Sequence, residues 1–158
     1  DCWVRTMACV SLVSWVPRSG VALYARLRRR QDSFSVEQNA TFPDIDGEDA
    51  HCLHGITTDE DGKITGTVRL VPPGVAGHAE TETSFGRVAV RRDCRGTGLG
   101  KELVTAAIDR LKTDYPDLPI RIEGQAYLAG LYQSMGFVVE GEVFDDDWGI
   151  PHQWFILP

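Results

Sequence analysis

A glycine-rich turn stands between a predicted strand and a predicted helix, at residues 95–100, which read Arg-Gly-Thr-Gly-Leu-Gly. Such a turn presents several free backbone N–H groups at the positive end of a helix, an arrangement that binds pyrophosphate. Glycine has no Cβ, so the main chain can approach phosphate oxygens closely. The predicted phosphate-binding residues are Arg95, Gly96, Thr97, Gly98, Gly100 and Lys101.

The segment does not match the sequence patterns of two other phosphate-binding loops. A Walker A loop needs glycine five places before its Gly-Lys pair and a hydroxyl residue after it, but Arg95 and Glu102 occupy those positions. A dinucleotide-binding turn needs glycine one residue after Gly100, where Lys101 stands, and belongs in the first unit of a parallel sheet. A tight strand-to-helix turn without a ligand is the structural alternative.

The elements around this loop predict one α/β domain over residues 1–158. The predicted elements are a strand at 3–14, a helix capped by Ser19 that ends near Gln31, a loop at 34–49, a hairpin of 51–57 and 63–71, a connection at 72–83, a strand at 85–90, a helix at 98–113, a strand at 119–124, a helix at 126–135 closed by Gly136, and a final hairpin of 137–144 and 152–157. This order, βαβββαβαββ, implies a mixed sheet with helices on its faces.

Two helices carry patterns that predict opposite environments. The helix at 98–113 has an apolar stripe typical of a core helix, formed by Leu99, Leu103, Val104, Ala107, Ile108 and Leu111. The first helix carries arginines at 26, 28, 29 and 30. We interpret these four as a solvated face in preference to a phosphate-binding patch.

The composition and charge of the chain limit the kinds of partner that it can bind. The 158 residues carry a net charge of -7, which argues against nucleic acid, and no run of eighteen apolar residues could span a bilayer. Four cysteines without a C-x-x-C pair predict no metal site and a reducing, cytoplasmic setting.

Two segments together resemble the signature of the GNAT superfamily of acetyltransferases. Residues 87–101 are similar to its Arg/Gln-x-x-Gly-x-Gly/Ala acyl-CoA loop, and residues 124–137 are similar to its helix that ends in Tyr-x-x-x-Gly-Phe. A closer resemblance, from about Leu23 to the end, is to the ElaA-like branch, with Trp148 standing as an insertion. The segments that carry it are 34–39, 44–49, 124–126 and 149–152.

The resemblance implies a GNAT fold, with a central, mostly antiparallel mixed sheet and one splayed pair of parallel strands. It implies acetyl-CoA as cosubstrate, without a metal. Pantetheine would pair with the backbone of Val88, Ala89 and Val90, where an N–H group polarises the thioester carbonyl, and Gln125 joins the expected cofactor-binding residues.

The resemblance assigns Tyr132 as general acid for the departing thiolate, because a phenol with pKa about 10 stays protonated beside a thiol with pKa about 8.5. The alternative is a packed aromatic beside Phe137. Glu37, Glu123 and His152 are candidates for the general base, directly or through water, although each is as readily a structural residue. We interpret His51, His54 and His78 as structural.

The function that follows is transfer of an acetyl group to a primary amine, on a small molecule or a protein. The rival hypothesis is a non-catalytic acyl-CoA sensor. The cofactor fills the cleft from one side, so we expect the acceptor between the loop at 34–49 and the final hairpin. The protein would act as a monomer or a homodimer.

Overall fold

The computed structural model describes residues 10–13, 20–39 and 42–158. The strands are β1 (Ser11–Val13), β2 (Leu53–Thr58), β3 (Ile64–Val71), β4 (Ser84–Val90), β5 (Ile120–Gln125), β6 (Val138–Asp145) and β7 (Pro151–Leu157). The helices are α1 (Gly20–Gln31), α2 (Leu99–Asp114) and α3 (Ala129–Ser134). Their order agrees with the predicted one. Most of the strand predicted at 3–14, and its Ser19 cap, lie outside the described residues.

The strands form two antiparallel sheets, in the orders β1-β2-β3-β4 and β5-β7-β6. β4 and β5 are parallel neighbours joined at one point, the bridge between Thr83 and Ile120. Two hydrogen bonds fix that point: Thr83 N–H to the Pro119 carbonyl at 2.9 Å and Arg121 N–H to the Thr83 carbonyl at 2.8 Å. Beyond it, the described parts of the two strands share no bridge, so they diverge into a wedge. The predicted splayed pair, and with it the fold class, is confirmed.

Helix α2 packs closely against the first sheet through its predicted apolar stripe. Leu103 and Ala107 are fully buried. A Cβ on Gly66 of β3 would lie 2.7 Å from Leu103 Cδ1, which is closer than carbon atoms can approach. The glycine therefore sets the distance between α2 and β3, and hence the position of the helix start beside β4.

The prediction of a loop with at most one helical turn at 34–49 is wrong, because a helical turn lies at each end of the segment. Helix α1 continues as a π-helical turn over Asp32–Glu37, and a 3₁₀ turn occupies Glu48–His51. Further 3₁₀ turns cover Arg92–Cys94 and Ala126–Leu128. A π-turn adds one residue per turn and shows no distinct apolar period, so the sequence pattern ended with α1.

The solvated arginine face on α1 is also wrong for two of its four members. Arg26 and Arg30 are 2% and 1% exposed. Arg30 donates hydrogen bonds to the carboxylates of Asp44 and Asp49 at 2.9 and 2.7 Å. A buried guanidinium is tolerated when carboxylates compensate its charge, and those carboxylates lie too far along the sequence for the helical pattern to reveal them.

Three chemical features of the described residues bear on function. No helix among them is long and apolar enough to cross a membrane. They contain no group of three His, Cys, Asp or Glu side chains placed to hold a metal ion. The two cysteines within them, Cys52 and Cys94, are free thiols.

Candidate active site

A cavity of about 250 Å³ opens at the wedge, between β4, the start of α2, the region around α3 and the π-helical turn. Residues from all four regions line it: Ser33, Phe34, Glu37, Gln38, Val88, Ala89, Val90, Arg95, Gly100, Val104, Tyr127, Leu128, Leu131 and Tyr132. The structure therefore brings the predicted pantetheine strand, part of the glycine-rich loop, Tyr132 and Glu37 to one place.

Strand β4 turns the backbone groups of Val90 toward the wedge. Arg91 N–H donates to the Thr65 carbonyl on β3 at 2.7 Å, and backbone groups alternate in direction along a strand. The N–H and C=O of Val90 therefore point away from β3. Just before them, the pairing with β3 shifts register and Arg87 adopts φ +52°. This bulge lies between Gly86, which pairs with Arg69, and Ala89, which pairs with Thr67.

The glycine-rich loop has the conformation that its sequence predicts at two of its three glycines. Gly96 and Gly98 adopt φ +72° and +95°, which disfavours any residue with a Cβ. Gly98 caps α2, and its carbonyl accepts the first helical hydrogen bond from Glu102 at 3.1 Å. A Cβ on Gly100 would make only an ordinary 3.7 Å contact with Val90 Cγ2. The turn therefore needs glycine at 96 and 98, but not at 100.

Polar side chains complete this end of the wedge. Thr97 Oγ1 donates to the Cys94 carbonyl at 2.7 Å, which fixes the turn, and Lys101 is exposed on the first turn of α2. Arg95 Nε donates to the Val90 carbonyl at 3.0 Å, and its Nη2 lies 2.6 Å from Glu37 Oε2. Arg95 thus connects the loop, the pantetheine strand and the π-helical turn.

Tyr132 is held by an aromatic cluster in the core. Its ring centroid lies 6.3 Å from that of Phe85, 5.9 Å from that of Phe137 and 5.1 Å from that of Phe155. A Cβ on Gly124 would stand 2.7 Å from Tyr132 Cε2, so β5 needs glycine at that position. The Tyr132 hydroxyl has no hydrogen-bond partner in the described part of the chain, and the residue lines the cavity. The hydroxyl is therefore available to a ligand.

Burial controls the acidity of Tyr132. Removal from water raises the pKa of its hydroxyl to about 12, and the neighbouring Tyr127 adds to the shift. The group therefore stays protonated across the whole neutral and mildly alkaline range. It can act there as a proton donor and not as a base.

The three base candidates lie in different places. Glu37 lines the cavity. Glu123 is exposed on β5, on the face opposite the buried Ile122 and Gly124. His152 Nδ1 lies 2.8 Å from the Ile150 carbonyl and 3.5 Å from Asp146 Oδ2. Because a carbonyl only accepts, Nδ1 carries the proton and Nε2 is the free basic nitrogen. Neither Glu123 nor His152 is among the described residues that line the cavity.

Gln125 lies on the acceptor side of the wedge. Its Nε2 donates to Gln38 Oε1 at 3.3 Å, just beyond the π-helical turn, and it stands opposite His152 in the β5-β7 register. Its role as a cofactor-binding residue stays a prediction, and Gln125 is not among the described residues that line the cavity.

A chain of aromatic rings, which sequence reasoning missed, joins the acceptor loop to the final hairpin. Phe42 lies 5.7 Å from Phe34, which lines the cavity, and 5.6 Å from Trp148 at the hairpin tip, measured between ring centroids. The guanidinium carbon of Arg87 stands 5.0 Å above the Phe42 ring. Trp148, the residue at which the sequence departs from the ElaA-like pattern, is the sequence feature that could have indicated this contact.

Comparison with known sequences agrees with this geometry. The acetyltransferase (GNAT) domain model matches residues 32–154. A UPF0039 protein of Mycobacterium tuberculosis is 39% identical over 139 residues, which are 87% of this chain and 85% of that protein. Protein ElaA of Escherichia coli is 35% identical over 135 residues, which are 82% of this chain and 83% of ElaA.

Solved structures give the same result. An acyl-CoA N-acyltransferase from Pseudomonas aeruginosa has a TM-score of 0.84 at 29% identity, covering 94% of this chain and 98% of that one. The crystal structure of Escherichia coli ElaA has a TM-score of 0.83 at 29% identity, covering 95% and 99%. The chain is therefore an acyltransferase of the GNAT family and belongs to its ElaA-like branch.

Proposed function

We propose that this protein transfers an acetyl group from acetyl-CoA to a primary amine by direct attack of the amine on the thioester. The observation that carries the proposal is the position of Tyr132. Its hydroxyl is protonated, has no hydrogen-bond partner among the described residues and belongs to the same cavity as the free backbone of β4. A module that only senses acyl-CoA has no need of a proton donor there.

The loop and strand supply binding and polarisation. The N–H groups at the start of α2, with Arg95 and Lys101, suit the pyrophosphate of acetyl-CoA, and the backbone of Val88 to Val90 suits its pantetheine arm. A N–H group of β4 near Val90 then stabilises negative charge on the thioester oxygen as the amine attacks. Such a donor contributes a few kcal/mol in mutational studies of other enzymes.

Tyr132 completes the transfer by protonating the leaving group. The amine nitrogen forms a bond to the carbonyl carbon, the C–S bond breaks, and the thiolate takes the phenolic proton. The proton that the amine gives up returns through solvent to the Tyr132 oxygen. Burial raises the pKa of Tyr132, and it raises the pKa of a thiolate that forms in the same cavity for the same reason. Donor and acceptor therefore remain matched despite the apolar surroundings.

The acceptor amine must lose a proton before or after attack. Glu37 is placed to attract an ammonium group at the cavity, and Nε2 of His152 is free to take a proton through water. The approach for the acceptor lies between residues 34–49 and the final hairpin, along Phe34, Phe42 and Trp148. The net charge of -7 favours a cationic substrate over an anionic one.

The test is release of free CoA thiol from acetyl-CoA with polyamines, aminoglycosides, amino acids and lysine peptides. Each amine that gives release is compared with its N,N-dimethyl derivative, which has the same charge but forms no stable amide. We expect release with a primary amine and none with its dimethyl partner. Tight acetyl-CoA binding without release for every amine would instead support the sensor hypothesis.

A further inference from the structure

Three aspartates of the acceptor loop meet three arginines from α1, β3 and β4 in one compact cluster. We call it the aspartate-arginine cluster; its members are Asp44, Asp46, Asp49, Arg30, Arg69 and Arg87. Its formal charges cancel. Arg30 and Asp49 are 1% exposed and Arg69 is 6% exposed, so these charges are compensated mainly by each other and hardly by water.

The inner part of the cluster fixes the loop to the scaffold. Arg30 bonds Asp44 through Nε at 2.9 Å and Asp49 through Nη1 at 2.7 Å, and also donates to the Asp44 carbonyl at 2.6 Å. Arg69 Nη1 donates to Asp46 at 2.8 Å and to Asp49 at 3.2 Å. Burial would raise the pKa of Asp46, but the hydrogen bond and charge of Arg69 hold it at about 2. The carboxylate is therefore ionised at neutral pH.

Arg87 is the outer member and the one that belongs to the wedge. It sits in the β4 bulge with φ +52°, directly before the strand residues that line the cavity. Its Nε lies 2.9 Å from Asp44 Oδ1 and its Nη2 lies 3.2 Å from Asp46 Oδ2. A non-glycine residue adopts this φ value only at a conformational cost. In Arg87 the same residue that bears this cost also forms the two ion pairs.

The same guanidinium also covers the Phe42 ring at 5.0 Å. Phe42 in turn contacts Phe34 of the cavity wall and Trp148 of the hairpin tip. A single side chain thus contacts the bulge strand, two loop carboxylates and the centre of the aromatic chain.

We propose that Arg87 is a positioning residue that sets the acceptor wall, through Asp44, Asp46 and Phe42, at a fixed distance from the thioester-binding strand. The inference rests on the proposed function for its catalytic meaning. Arginine suits the role because its planar guanidinium can pair with two carboxylates at its edge while its face lies on a ring, which an ammonium group cannot do.

The first measurement needs no substrate. Arg87→Lys keeps the charge, so the buried aspartates retain compensation and the fold survives. We expect amide hydrogen exchange to accelerate in residues 42–51 of the variant and to stay unchanged in Leu99–Asp114. Exchange that is unchanged at 42–51, or accelerated throughout the chain, would overturn the proposal. This measurement gives an answer even if no amine in the panel is acetylated, so it separates this inference from the proposed function.

The second measurement uses an amine that the wild-type protein acetylates. Arg87→Lys should raise the acceptor KM about tenfold, while the acetyl-CoA Kd changes less than twofold. Phe42→Leu should raise KM as well, and the double variant should show less than the sum of the two effects because both changes break one contact. Fully additive effects, or an unchanged acceptor KM in Arg87→Lys, would overturn the assignment.

The matched control is Arg121→Lys. Arg121 also combines an ion pair, to Glu140 at 2.5 Å, with a ring contact, 4.0 Å above Trp154. It lies on β5, on the outer face of the second sheet, away from the described cavity residues. We expect unchanged KM and unchanged exchange at residues 42–51. An equal effect in this control would assign the Arg87 result to general loss of surface contacts.

Discussion

The two sides of the cavity obtain their geometry in different ways. On the loop side, residues 84–114, the binding groups are mostly backbone atoms whose direction is fixed by a bulge, two left-handed glycines and a helix start. On the acceptor side, residues 32–51 and 145–151, they are side chains held by ion pairs and ring contacts between distant segments. The first geometry is local in sequence and the second is not.

The two sides of the cavity should therefore tolerate different kinds of substitution. A local backbone geometry tolerates replacement of surrounding side chains, but it fails when a residue with a special φ value is changed. A geometry made by convergent side chains tolerates backbone adjustments but depends on complete partners. We therefore expect substitutions on the two sides of the cavity to have different effects.

The largest effect is expected for Gly98→Asp on the loop side. An aspartate there would strain the left-handed position at φ +95° and place negative charge where a phosphate must lie. Calorimetry should detect no acetyl-CoA binding. Gly77→Asp is the matched control, since Gly77 has φ +81°, open space around it and no place in the cavity. Retained affinity in Gly98→Asp would remove the loop from the site.

The next effect is expected for Tyr132→Phe, which keeps the aromatic cluster and removes only the hydroxyl. The maximal rate should fall by roughly ten- to ten-thousand-fold, with little change in the acetyl-CoA Kd. Tyr127→Phe, at an exposed tyrosine of the same cavity, should leave the rate unchanged. A Tyr132→Phe enzyme with the full wild-type rate would return Tyr132 to a packing role.

A smaller effect concerns acid stability of the acceptor side. His54 is 1% exposed, and its Nε2 donates to the Asp49 carbonyl at 2.9 Å. Burial lowers its pKa from 6.5 to about 4. Between these pH values His54 takes up a proton in the unfolded chain but not in the folded chain. The free energy of unfolding therefore has its full value above pH 6.5 and falls as the pH is lowered toward 4. The loss from this group is about 3 kcal/mol.

Urea unfolding at pH 7, 5.5 and 4.5 measures this loss. In His54→Gln, which keeps a donor, the pH dependence should be reduced, whereas His51→Gln, at an exposed residue of the 3₁₀ turn, should behave as wild type. Equal slopes in all three proteins would contradict the assignment of the acid-sensitive group to the acceptor side.

The smallest effect is expected at Glu37, which pairs with Arg95 of the loop side, and at His152 on the final hairpin. Glu37→Gln and His152→Ala should raise the acceptor KM by about tenfold or less, or flatten the pH profile, and leave the acetyl-CoA Kd nearly intact. Glu37 pairs with Arg95, so loss of its charge should not weaken the hold of Arg95 on a phosphate. Wild-type acceptor kinetics from pH 6 to 9 in both variants would place the acceptor elsewhere.

The same division explains what could be predicted from the sequence. The order of elements, the φ values at Gly96 and Gly98 and the apolar stripe of α2 follow from patterns shorter than twenty residues. The site that these patterns predict, around Val90, Arg95 and Tyr132, lies around one cavity.

The cluster at Arg30, Arg69 and Arg87 could not be predicted in that way. Each arginine lies on a different element, and each partner aspartate is 14 to 43 positions away along the chain. The sequence shows the charges but not their pairing, because a tertiary contact has no period. For the same reason the helical pattern does not reveal that Arg26 and Arg30 are buried.

The single bridge at Thr83 has a thermodynamic consequence. Within the described residues it is the point at which a strand bridge couples one sheet to the other, and beyond it the facing strands β4 and β5 form no ladder with each other. A ligand that forms hydrogen bonds with both edges replaces the inter-strand hydrogen bonds that are missing there. Unfolding of the protein should therefore be most cooperative when acetyl-CoA is bound. Linkage sets the scale: at a concentration of one hundred times Kd, acetyl-CoA should add about 2.7 kcal/mol to the free energy of unfolding.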